Sequence, residues 1–63
     1  MTTVTYPCYI QRKDSKGEWR WTYFARNAEA ISVSSESYKN RSDCTHGIDL
    51  MKGSTASPVF FYE

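Results

Sequence analysis

The stretch Trp19-Arg20-Trp21-Thr22-Tyr23-Phe24 decides how this chain folds. Successive side chains of a strand point to opposite faces. Trp19, Trp21 and Tyr23 therefore share one face, and Arg20, Thr22 and Phe24 share the other. Each large aromatic side chain removes roughly 150–250 Å² from water when it is buried. In a chain of 63 residues, so much aromatic surface on one strand is either the core of a very small domain or a platform for a partner. It does not read as an active site.

Working outward, residues 6–13 form a first strand rich in β-formers (Tyr6, Tyr9, Ile10), with Pro7 favouring an edge position or a start near Cys8. Asp14-Ser15-Lys16-Gly17 supplies turn chemistry, because Asp bonds the backbone that follows it and Gly tolerates positive φ. A second strand over 18–25 completes a β-hairpin. Arg26-Asn27-Ala28-Glu29 is the next turn, with Asn27 expected in the left-handed conformation. A third strand over 30–34 alternates Ile31 and Val33 with Ser32 and Ser34, making a three-stranded meander.

After residue 39 the period changes. Asn40 is a good helix N-cap, and Asp43 stands where a capping box places its acid. Cys44, Gly47, Ile48 and Met51 fall at i, i+3, i+4 and i+7, one face of a helix over 41–52. Lys52 and Gly53 end it with a cation that suits the helix dipole and a C′ glycine. Gly47 costs about 1 kcal/mol against Ala inside a helix, so its place on the apolar face predicts close approach of helix to sheet. Residues 53–58 read as a flexible connection. Val59-Phe60-Phe61-Tyr62 is strand-forming and, left exposed, invites aggregation, so it is expected to pair with a sheet edge of its own or of a neighbouring subunit.

Size and composition narrow the function. A chain this short is one domain, and it buries only about 60% of the surface it exposes when unfolded, so the core needs a supplement. Cys8 and Cys44 are too few for a disulfide scaffold, and Met1-Thr2-Thr3-Val4-Thr5 lacks the apolar segment of an export signal. The reading is therefore cytoplasmic, with two reduced thiols. His46 and two isolated cysteines lack metal-ligand spacing, so neither a metal nor a cofactor is expected. Oligomerisation remains as the supplement. Eight Lys and Arg against seven Asp and Glu, a net charge of +1, does not call for nucleic acid or a membrane surface. No apolar run approaches the ~18–20 residues that span a bilayer.

These residues carry a resemblance. Lys13-Asp14-Ser15-Lys16-Gly17-Glu18-Trp19-Arg20-Trp21 resembles the first hairpin of the YegP-like family of small bacterial and archaeal proteins. Asn27-Ala28-Glu29, Ser34-Ser35-Glu36-Ser37-Tyr38, and Gly47-Ile48 with Lys52 follow in that family's order and spacing. The similarity covers roughly residues 9–52. Two positions depart from it: Ser37 stands where the family has Gly in its Ser-Glu-Gly-Tyr stretch, and Ala28 replaces the commoner Gly of the second turn. The resemblance implies an α+β fold, an antiparallel β(3)-α-β unit with its helix on one face of the sheet. It further implies two units joined into one sheet with exchanged C-terminal strands. For a chain with one unit, that is a homodimer exchanging residues 59–62. The family supplies no catalytic residues.

The expected organisation is thus a disordered tail over residues 1–5 and a single domain over 6–62. Trp21 and Tyr23 are read as core beneath the helix. Trp19, beside the turn, is either core or part of an aromatic platform for a base, a sugar or a proline ring. Arg20 and Phe24 on the opposite face join that platform by cation–π contact in the second case, with Arg12 across the hairpin. The serines around Glu36 are read as capping backbone groups and orienting Tyr38. A pocket for a small polar ligand at Ser35, Glu36 and Tyr38 is the alternative. No nucleophile elbow accompanies those serines, so a catalytic reading is set aside. His46 lies two residues from Cys44, off its face, and is expected at the surface. The function expected is a non-enzymatic binding or interaction module acting as a homodimer. The alternative is a module that sequesters a small ligand or single-stranded nucleic acid on its aromatic and arginine strand. Arg12, Trp19, Arg20, Phe24, Ser35, Glu36 and Tyr38 are the candidate contact residues.

Overall fold

The computed structural model describes residues 3–62. Three strands, β1 (Cys8–Lys13), β2 (Trp19–Phe24) and β3 (Ala30–Val33), form an antiparallel sheet in the order β1-β2-β3. Helix α1 (Arg41–Lys52) crosses one face, and a single 3-10 turn (Gly53–Ala56) follows it. The α+β meander with one covering helix is as expected. The first strand begins at Cys8, after Pro7, the later of the two starts read from the sequence. Of the tail expected at 1–5, Met1 and Thr2 lie outside the described residues, and residues 3–5 hold no regular structure.

The first turn follows its sequence. Asp14 Oδ1 accepts from the amides of Lys16 and Glu18 at 2.9 and 3.0 Å, and Gly17 takes φ +78°. The second turn corrects the expectation. Ala28, not Asn27, is left-handed, at φ +67°. Asn27 instead accepts from the Glu29 amide through its side chain, at 3.2 Å. An Asx turn leaves the next residue to make the left-handed step, and here that residue carries a Cβ that resists it. Ala28 is also the position where the resembling family more often has Gly.

The register sets the two faces. Tyr9 opposes Tyr23, Gln11 opposes Trp21 and Lys13 opposes Trp19, all on the helix side. Ile10 opposes Thr22 and Arg12 opposes Arg20 on the other side. On β3 the polarity is the reverse of what its composition suggests. Ser34 is 2% exposed on the helix side, whereas Ile31 and Val33 are 64% and 63% exposed on the outer face. The hydroxyl explains the choice. Ser34 exchanges two bonds with Trp21: its amide donates to the Trp21 carbonyl at 2.9 Å, and its Oγ accepts from the Trp21 amide at 3.4 Å.

The core is Trp21, 5% exposed, with Cys44 and Ile48 from the helix, and Tyr9, Trp19, Tyr23 and Tyr38 packed around them. Trp21 meets Tyr9 edge-on at 5.5 Å between ring centroids. At roughly 25 cal/mol per Å², burying one such indole stabilises the fold by about 4–6 kcal/mol as an upper bound. Gly47 confirms the close approach. A Cβ placed there lies 2.8 Å from Tyr38 Oη and 3.4 Å from Trp21 Nε1. The Trp21 N–H is buried in that contact with no partner among the described residues.

The rest of the helix departs from expectation in three ways. Met51, expected on the buried face, is 42% exposed, and only Cys44 and Ile48 of the helix are buried in the core. Asn40 precedes the helix in extended conformation, but its side chain donates to Asp43 Oδ2 at 3.4 Å rather than capping a backbone amide. Gly53 ends α1 at φ −81°, not left-handed, so the chain continues into the 3-10 turn where a flexible connection was expected. Ser54 fastens that turn by donating to the Met51 carbonyl at 2.6 Å.

Beyond Pro58 the chain leaves the body. Val59, Phe60, Phe61 and Tyr62 are between 79% and 95% exposed and pair with no strand of their own sheet. The radius of gyration is 13.3 Å, against about 11 Å for a compact chain of this length. In this structure of the single chain the segment is not paired with its own sheet.

Candidate functional site

The topology gives the molecule two ends. β1 closes and β2 opens at the hairpin end, where α1 also begins. β2 closes and β3 opens at the other end, where α1 finishes and the C-terminal segment departs.

At the hairpin end the centre is Trp19. Its backbone is held against Tyr38 by two bonds: the Trp19 amide donates to the Tyr38 carbonyl at 2.6 Å, and the Tyr38 amide returns one at 2.8 Å. Between this bridge and the Trp21–Ser34 pair, Ser35, Glu36 and Ser37 bulge out opposite Arg20 alone. Ser37 donates to a Glu18 carboxylate oxygen, which pins the bulge to the hairpin. The half-buried Trp19 ring has two cations near its face, Lys13 Nζ at 5.6 Å and the Arg41 guanidinium at 6.0 Å from its centroid. On the outer face Arg20 Nε donates to Asp14 Oδ2 at 3.2 Å, and Arg12 stands directly across from Arg20. The Glu18 amide, foremost, with those of Lys16 and Arg20's side chain, holds the Asp14 carboxyl below its ordinary pKa range against a partial opposing effect of desolvation.

At the other end a groove of 570 Å³ runs between the open edge of β1 and the helix. Its floor is Tyr9, Tyr23 and Ile48, with the two tyrosine rings 4.8 Å apart. Pro7 and Cys8 form the strand wall, and Thr45, Asp49 and Lys52 the helix wall. Thr45, Ile48, Asp49 and Lys52 fall at i, i+3, i+4 and i+7, so one stripe of α1 faces β1 along its length. Gln11 closes the inner end by donating to Thr45 Oγ1 at 2.7 Å. A strand edge beside a helix, with an aromatic floor between them, is the geometry that accepts an extended peptide as an added strand. Cys8 is half-buried there, while Cys44 is fully buried beneath the helix, and burial pushes the Cys44 thiol pKa up, partly offset by Gln11.

The structure divides the residues singled out from the sequence. Trp19 and Tyr38 are brought together at the hairpin end. Arg12, Arg20 and Phe24 lie on the outer face, apart from Trp19. Arg20 makes no cation–π contact with the aromatic strand, because Asp14 holds its guanidinium, and Phe24 stacks edge-on with Tyr6 at 5.8 Å instead. Ser35 and Glu36 sit exposed on the bulge. The backbone bonding expected of the serines belongs to Ser34 alone, and Ser37 bonds Glu18. His46 is exposed, as expected. The sequence reading missed Lys13 and Arg41 as the cations of Trp19. For Lys13 a partial signal existed: it directly precedes the turn and so lies near the start of the second strand, and the observed register sets it across from Trp19. It also missed the groove, which depends on how the helix lies across the sheet.

A three-stranded antiparallel meander under one helix, with an open strand edge and a trailing aromatic segment, defines a small α+β domain of β(3)-α type. The sequence profile of the family described as "Domain of unknown function (DUF1508)" matches residues 14–58, and the chain belongs to that family. The YegP-like resemblance read from its residues is thereby confirmed. Among curated relatives it is similar to the UPF0339 protein NMB1088 of Neisseria meningitidis serogroup B, 44% identical over 45 residues, covering 71% of this chain and 79% of that protein. The UPF0339 protein NMA1193/NMA1859 of Neisseria meningitidis serogroup A matches with the same identity and coverage. Neither name states a reaction or a ligand. No helix among the described residues is long and apolar enough to cross a membrane.

Proposed function

We propose that this chain is a non-enzymatic interaction module that works as a homodimer, each copy laying Val59, Phe60, Phe61 and Tyr62 along the open β1 edge of the other. The observation that carries this reading is the exposure of that whole segment in the single chain. Four consecutive apolar or aromatic residues held in water are an aggregation hazard unless a strand edge receives them. A receiving edge of suitable shape stands at the same end of the molecule, beside the groove between β1 and α1. Aromatic side chains from the added strand would enter it and meet the Tyr9 and Tyr23 rings, while main-chain bonds extend the sheet. The exchange implied by the resemblance agrees with this, and so does the small core, which a second subunit would enlarge. Two free cysteines fit the reducing cytoplasm that the reading assumes.

Sedimentation of the full chain and of a variant ending at Ser57 tests the proposal. The full chain should sediment with the mass of two chains. The shortened variant should sediment as one, with an unchanged far-ultraviolet spectrum, since the segment contributes nothing to the core. A dimer that persists without the segment would contradict the exchange.

A further inference from the structure

We propose that the hairpin end is a binding site for nucleotides, in which the Trp19 indole stacks on the base while Lys13 and Arg41 take the phosphate. The site lies at the end of the molecule away from the C-terminal segment, so the inference stands or falls independently of the dimer.

Charge is the first ground. A net charge of +1 conceals an uneven distribution. Of eight Lys and Arg residues, Arg12, Lys13, Lys16, Arg20, Lys39 and Arg41 belong to the hairpin end, and only Arg26 and Lys52 to the other. The carboxylates that share the hairpin end are largely committed to structure. Asp14 is occupied by the amides of Lys16 and Glu18 and by Arg20, Glu18 takes the Ser37 hydroxyl, and Asp43 faces the Asn40 amide. Glu36 is the exception, exposed on the bulge. The one ion pair among the described residues is Arg20 with Asp14. Arg12, Lys13, Lys16, Lys39 and Arg41 therefore stand without a carboxylate partner within 4 Å. Anions at this end build the turns, and the cations are left for something else.

The second ground is the ring itself. Trp19 is fixed at its backbone by two bonds to Tyr38, yet as a residue it is only partly buried. Lys13 and Arg41 approach the ring from two different elements, the end of β1 and the start of α1. Both side chains are long and exposed, and a cation–π contact at such a site is weak. A phosphate offers Arg a bidentate, charge-assisted bond, so it draws the guanidinium off the ring face and uncovers the ring for a base. A rigid aromatic surface between mobile cations is the arrangement by which sequence-tolerant binders hold a base and its phosphate together. A free nucleotide and a single strand share this chemistry. Arg12 on the reverse face of the same end offers a second phosphate contact only to a strand.

The test uses the full chain at low salt, reading tryptophan fluorescence and the anisotropy of a labelled ten-residue oligothymidine. Adenosine triphosphate, inorganic tripolyphosphate and a poly-glutamate peptide serve as competitors. Expected is micromolar to sub-millimolar binding of the oligonucleotide, on the order of non-specific affinities, weakening with salt at a log–log slope of about −1.4 for two phosphate contacts. Lys13→Gln with Arg41→Gln should weaken it at least about tenfold and flatten that slope. Trp19→Phe should lose several-fold in affinity and keep the slope, with thermal melting to verify that it folds. Arg26→Gln with Lys52→Gln, at the other end, should bind as wild type. A nucleoside triphosphate that competes as well as the strand, per phosphate, assigns the site to free nucleotides, and one that competes poorly assigns it to strands. Either supports the proposal. Three results would overturn it: no binding of strand or nucleotide at low salt, wild-type affinity in the Lys13 and Arg41 double variant, or tripolyphosphate or poly-glutamate competing as well as the nucleotides.

Discussion

The two ends of this small sheet are finished by different means. At the hairpin end polar bonds close the chain on itself: the Asp14 carboxylate on two amides and Arg20, the Ser37 hydroxyl on Glu18, and the Tyr38 backbone on the Trp19 backbone. At the other end the turn rests on a left-handed Ala28, the helix runs past its last buried residue at Ile48, and an aromatic segment leaves without cover. One end is complete within the chain, and the other is complete only if something joins it. A domain of this size has one core, and Trp21 with Cys44 and Ile48 already makes it. The aromatic residues left over from that core stand at the two ends in two settings: a cation-flanked ring and an uncovered C-terminal segment.

The comparison is most easily broken at the point both ends share. Trp21→Ala removes the core indole and should cost about 3–5 kcal/mol. That equals roughly the whole stability of a domain below 70–80 residues. Circular dichroism should find the variant largely unfolded at 25 °C. A cooperative melt near the wild-type temperature would mean that the helix and sheet are held together elsewhere.

Gly47→Ala sharpens the role of the hairpin end in positioning the helix. Alanine favours the helix by about 1 kcal/mol over glycine. Its Cβ would nevertheless lie 2.8 Å from Tyr38 Oη. Tyr38 is fastened by its backbone to Trp19, so the ring cannot withdraw freely. The variant should lose about 1–2 kcal/mol, the cost of overpacking. Tyr38→Phe, which removes the crowding hydroxyl, should recover most of that loss in the double variant, as denaturant titration would measure.

At the opposite end Ala28→Gly should stabilise the chain by up to about 1 kcal/mol, because glycine takes φ +67° without the Cβ conflict. The gain is partly offset by glycine's greater freedom in the unfolded chain. A destabilised variant would show that the methyl group of Ala28 has a packing role.

The smallest effect is the pH dependence of the hairpin turn. The folded pKa of Asp14 lies below its unfolded value, so its stabilising contribution is present above the unfolded value and is lost as pH falls through the folded one. Wild-type melting temperature should therefore decline more steeply below about pH 4 than that of Asp14→Asn, which lacks this titration. Parallel acid limbs in the two proteins would remove Asp14 from the account of the turn.

Much of this was legible because it is local. Alternation along 19–24 gave the buried face, Asp14 and Gly17 gave the first turn, and the period of Cys44 and Ile48 gave the helix. What was not legible depends on contacts between distant residues. Ile31 and Val33 look like core and face outward, because the strand's period does not say which face meets the helix, and the Ser34 hydroxyl bonding Trp21 decides it. Lys13 and Arg41 are 28 positions apart in sequence and meet over Trp19 only once the helix start is placed beside the hairpin. The groove depends likewise on the docking of α1 over Tyr9 and Tyr23. Arg20 and Phe24 were legible as the face opposite Trp19, but their partners were not: Asp14 holds Arg20 and Tyr6 stacks on Phe24, contacts set by the turn and by the chain before β1.

The central proposal is that the uncovered segment of one copy completes the β1 edge of another. Isotope-filtered nuclear Overhauser spectroscopy on a mixture of labelled and unlabelled chains tests it most directly. The account predicts contacts between residues 59–62 of one copy and Tyr9, Tyr23 and Ile48 of the other, with the β1 amides protected from exchange. Contacts confined to one chain, or a segment that contacts nothing at concentrations where the protein is folded, would contradict it.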